Sequence, residues 1–88
     1  MTTIWKFSLK VVDSQMVEMP RGATLLCVQV QWHVPCLWVQ VDSEQPKEKR
    51  EILTVGTGHL MPEKIGSYLG SYQLENGALI FHVFEGDQ

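Results

Sequence analysis

From Ile4 to Val11 apolar and polar positions alternate, with Trp5, Phe7, Leu9 and Val11 on one side and Ile4, Lys6, Ser8 and Lys10 on the other. A period of two predicts a strand with one face on a core and one in solvent. "DSQ" follows with turn chemistry, since Asp and Ser side chains bond nearby backbone. A short strand over "MVEM" then ends at "PRG", where proline fixes one backbone angle and glycine permits a reversed one.

The stretch "ATLLCVQVQWHVPCLWVQVD" reads as a hairpin in which Leu26, Val28 and Val30 face Leu37, Val39 and Val41. A loop from Trp32 to Pro35 predicts Gln31 opposite Cys36, Gln29 opposite Trp38 and Cys27 opposite Gln40. A slip of one residue would set valine against glutamine, so the face assignment is well specified. "REILTV" reads as a fifth strand. "GTGHLMPEKIGS" is irregular, with Pro62 placed to start at most one short helical turn near residues 62–66. "YLGSYQLENGALIFHVFE" closes the chain as a hairpin tipped by Asn76-Gly77, residues that tolerate the positive angles of a type I′ turn. That tip sets Tyr72 opposite Phe81, Leu74 opposite Leu79, Gly70 opposite Val83 and His82 opposite Ser71.

Six to seven short strands and almost no helix predict an all-β fold, a small antiparallel β-sandwich or a partly closed barrel. At 88 residues, 44% hydrophobic and 19% charged, the chain has the balance of a single domain over 1–88. Seven basic against ten acidic residues give a net charge of −3, which disfavours non-specific nucleic-acid binding. No apolar run suits a signal peptide or a membrane helix, so a soluble protein without membrane attachment is expected. The two cysteines, Cys27 and Cys36, fall on different rungs and fit a reducing compartment as free thiols.

In order along the chain, "MPRGATLL", "VQVQ", "VPCLW", "VGTGH" with its following "MP", and "FHVFE" resemble the motifs of a family of small phage- and prophage-encoded proteins built on a domain of unknown function. The resemblance covers nearly the whole chain. It implies a viral accessory protein in the host bacterial cytoplasm and carries over no reaction and no catalytic residues.

The residues themselves offer two candidate surfaces. In the loop Gly56, Thr57, Gly58 and His59, glycines let backbone approach a ligand and turn N–H groups outward as an anion-binding nest, while Thr57 and His59 add side-chain donors. The alternative is a plain turn ending a strand, with His59 capping it. Trp38 and Arg50 are added to this ligand-binding set, Arg50 as a reach toward a phosphate. The second surface is Gln29, Gln31, Gln40, Trp32 and Cys36, an uncharged amide-rich face with the composition of an interface core, covered by a second copy or by another part of the same chain. The three histidines and the cysteines lack the close spacing of a zinc knuckle, so no metal and no cofactor is expected. No nucleophile elbow or converging carboxylate pair is legible, which argues against an enzyme. The function expected from these readings is a homo-oligomeric, non-enzymatic phage protein that sequesters a small nucleotide-like ligand, a nucleotide-derived defence signal. A protein–protein module that inhibits a host protein or serves the virion is the alternative.

Overall fold

The computed structural model describes residues 1–87. Seven strands alternate with short connections: β1 (Thr2–Ser8), β2 (Ser14–Pro20), β3 (Thr24–Gln31), β4 (Val34–Asp42), β5 (Lys47–Gly56), β6 (Tyr68–Leu74) and β7 (Leu79–Glu85). They form two antiparallel sheets, β1-β4-β3 and β2-β5-β7-β6, packed face to face as a sandwich and not closed into a barrel. The core lies between them, built from inward positions such as Val17, Met19, Val28, Leu37, Val39, Val41, Ile52 and Val83. One corner is drawn tight between the edge strands β3 and β6. There Gly70, at φ +139°, lies so close to Val28 that a Cβ would sit 3.6 Å from the Val28 backbone nitrogen and oxygen.

The alternation in β1 is as expected, with Ile4, Lys6 and Ser8 exposed, but the strand stops at Ser8 and Val11 is exposed, off the core face. The link that follows is held by the Gln15 amide, which donates to the Lys10 carbonyl at 2.8 Å and accepts from the Lys10 N–H at 3.1 Å. The β3–β4 register departs from the expected one by two residues. Cys27 pairs with Trp38, Gln29 with Cys36 and Gln31 with Val34, around a two-residue tip of Trp32 and His33 at φ 53° and 68°. A bulge between Leu25 and Cys27 also turns Leu26 out of the core, to 43% exposure. In β6–β7 the expected pairs are all present, including Tyr72 with Phe81 and Ser71 with His82. The Ala78 N–H closes that turn on the Glu75 carbonyl at 3.0 Å. The helical turn expected near 62–66 does not form; the chain's short 3₁₀ turn is at Glu75–Gly77 instead.

Because β7 lies between β5 and β6, the segment 57–67 must cross β7 to start β6. Its exit is pinned by the Gly66 N–H on the Glu85 carbonyl at 2.7 Å and by the Glu85 N–H on the Ser67 carbonyl at 2.8 Å. Leu53 and Val55 are buried although they alternate with the core-facing Ile52, and Val55 lines a depression with Leu60, Met61 and Pro62 of the crossover.

Candidate functional site

The end of β5 carries the run "ILTVGTGH". Ile52, Leu53, Thr54 and Val55 are all buried, the pattern of a strand covered on both faces. Thr54 is the polar member of that run, 6% exposed, and its Oγ1 has no hydrogen-bond partner among the described residues. Its N–H donates to the Asp13 carbonyl at 3.0 Å, which fixes the β1–β2 link against β5. The strand then ends in a tight turn. The His59 N–H donates to the Gly56 carbonyl at 3.0 Å, and Gly58 takes φ +87°, the reversed angle that a type II turn needs at its third position.

Two of the loop's N–H groups are used as the plain strand-ending alternative expects. The Thr57 N–H donates to the Ile80 carbonyl at 3.1 Å and the His59 N–H is engaged in the turn, so neither faces a ligand. Thr57 Oγ1 lies 2.7 Å from His82 Nε2 and 3.4 Å from the Ile80 carbonyl, tying the turn to β7. The His59 ring lies against Gly56, where a Cβ would meet Nδ1 at 3.0 Å. Glycine at 56 is therefore what lets the ring lie flat on the strand end.

Three neighbouring depressions share Gly56 and His59. The largest, about 370 Å³, is lined by Asp13, Thr54 and Val55 on one side and by Leu60, Met61 and Pro62 of the crossover on the other. A smaller one of about 80 Å³ adds Val11, Val12 and Phe81, and a third of about 240 Å³ adds Thr57 and Ile80. His59 lines all three. At the rim Leu60 is 96% exposed.

Of the residues expected to bind a ligand, Gly56, Thr57, Gly58 and His59 come together here, and Arg50 and Trp38 do not. Arg50 is on the same strand as Thr54 but about 13 Å away at strand spacing. Its Nε and Nη2 bind the Glu85 carboxylate at 2.7 and 2.5 Å, and Nη1 donates to the Ala23 carbonyl at 3.1 Å. Trp38 belongs to the other sheet, where Lys6 Nζ lies 5.9 Å from its ring centroid and donates to Gln31 Oε1 at 2.6 Å. Lys6 therefore spans the amide face from β1 to β3, over the Trp38 of β4. Gln29 and Gln40 on that face are exposed, and Cys36 is buried with its Sγ 3.4 Å from the Val34 carbonyl. Trp32, at the hairpin tip, is 87% exposed.

Asp13, Thr54, Leu60 and Phe81 were not legible as site residues. A lone threonine in an aliphatic strand run was the available signal for Thr54. Both cysteines are free, and the described residues hold no group of three or more His, Cys, Asp or Glu placed for a metal ion.

These features define an all-β sandwich with a small, mostly apolar depression at the end of one strand. The chain belongs to the family described as Domain of unknown function (DUF7352), whose model matches residues 1–88. No curated protein and no solved structure matches it. No helix among the described residues is long and apolar enough to cross a membrane.

Proposed function

We propose that this protein is a non-enzymatic phage or prophage accessory protein, active in the host bacterial cytoplasm, that holds a small molecule of the host in the depression beside His59. The observation that carries the reading is the 370 Å³ depression at the end of β5, which has among its lining residues Thr54, whose buried hydroxyl has no partner among the described residues. A buried hydroxyl left without a partner costs about 1–3 kcal/mol, and a ligand that bonds to it removes that cost. A few convergent polar groups in an otherwise apolar concavity are the usual make-up of a small-molecule site.

The non-enzymatic part is supported by the state of the hydroxyl–imidazole pair. Thr57 Oγ1 also has the Ile80 carbonyl as an acceptor, and no third side chain is hydrogen-bonded to the His82 ring among the described residues. An activated nucleophile needs its base oriented by such a group. The nucleotide-derived signal loses support, since Arg50 is engaged with Glu85 and the Thr57 and His59 N–H groups are bonded within the chain.

A thermal-shift screen of small fragments on the wild type and on Thr54→Val tests the reading. Valine is close in shape and leaves no orphan hydroxyl, so the variant folds. Fragments that stabilise the wild type and not the variant are expected; a screen with no such fragment contradicts the proposal.

A second reading rests on Trp32. A tryptophan 87% exposed on a tip whose two residues both hold positive φ is strain without an internal contact to explain it. A partner, protein or second copy, that covers this tip makes it an interface anchor. Trp32→Ala is then expected to abolish capture of that partner and leave fragment binding intact.

A further inference from the structure

The geometry points to a small organic cation, an amine or amidine on one or two apolar rings, as the class of ligand held beside His59; the inference rests on the small-molecule reading above. Three observations converge on it. Asp13, an exposed residue, lines both the larger and the smaller depression, and its carboxylate has no protein partner among the described residues, which leaves its charge open to a ligand. No lysine or arginine lines any of the three depressions, so a phosphate or carboxylate entering here finds no cation and meets a like charge. The net charge of −3 adds an attraction for cations at long range.

The remaining surface fits the remainder of such a molecule. An ammonium set at the Asp13 carboxylate gives it an N–H donor and pairs its charge. Val55, Leu60 and Met61 then offer apolar contact to a ring, and the exposure of Leu60 at the rim is what a ring laid across it removes. At about 370 Å³ the depression is within the range of small-molecule sites, near its lower end.

The test is a titration of the isotope-labelled full chain, followed by amide NMR, with tryptamine, with the isosteric anion indole-3-propionate and with adenosine monophosphate. Tryptamine is expected to shift the Asp13, Thr54, Gly56 and His59 resonances and to bind about tenfold tighter than either anion. Asp13→Asn keeps the backbone carbonyl that holds Thr54, and is expected to erase that preference by weakening tryptamine about tenfold. Equal or tighter binding of an anion at these resonances overturns the cationic class and leaves the small-molecule reading standing. Silence of all three probes, while the fragment screen finds Thr54-dependent binders, does the same. Silence in both experiments removes the class and the reading together.

Discussion

Thr54 and Tyr72 each bury a hydroxyl without a partner among the described residues, and the two residues differ in their surroundings. Thr54 lines an open depression, whereas Tyr72 sits in the core with its ring centroid 5.4 Å from that of Phe81. Tyr72→Phe is therefore expected to leave fragment binding unchanged and to raise stability by about 1 kcal/mol, read as an increase in Tm. Burial holds the Tyr72 phenol above its ordinary value of 10.0. The folded state then binds more protons than the unfolded state once pH exceeds about 10, so stability falls as pH rises through that range. Denaturant unfolding from pH 8 to 11 is expected to show this loss in the wild type and a smaller one in Tyr72→Phe. Arg50 makes the contrasting case of a charge satisfied in full. It and Glu85 are each 14% exposed at the side chain, so Arg50→Met strands a largely buried carboxylate. A loss of about 3 kcal/mol in urea unfolding is expected, with fragment affinity retained because the guanidinium is remote from Thr54. Lost binding at full stability would return Arg50 to the ligand set.

Among the elements, the two hairpins show what patterning can and cannot convey. The β6–β7 register was readable because Asn76-Gly77 names its own turn, and the alternation of Tyr72, Leu74, Leu79 and Phe81 agrees with it. The β3–β4 register was not, because its tip is Trp32-His33, residues that carry no signal for positive φ. A shift of two preserves which face each residue takes, so the hydrophobic pattern could not detect the error. The bulge at Leu26 is equally silent, since an extra residue in a run of leucines leaves no break in hydropathy. Left-handed angles cost a non-glycine residue about 1–2 kcal/mol. Replacing Trp32-His33 by Asn-Gly is thus expected to raise Tm by about 4–8 °C for each kcal/mol relieved. An unchanged or lower Tm would mean that Trp32 makes a contact on the folded chain. The candidate site was legible in part for the same kind of reason. The glycines of "GTGH" marked the turn, but Asp13 reaches Thr54 only through the pairing of β2 with β5, a distant contact that local pattern does not encode.

For the whole molecule, the sandwich leaves its small, mostly apolar depression at the end of β5, with walls from the β1–β2 link and the crossover. The amide face of the other sheet, with Lys6 across Trp38, is a separate surface, so ligand binding and self-association can be altered independently. Trp38→Ala is expected to change the oligomeric state, if that face pairs with a second copy, without changing fragment affinity. The most direct test of the central claim is native mass spectrometry of protein purified gently from a bacterial host, wild type beside Thr54→Val. The account predicts that the wild type carries a defined small-molecule adduct, one per chain, and that the variant lacks it. A wild type that is ligand-free, like the variant, would contradict it.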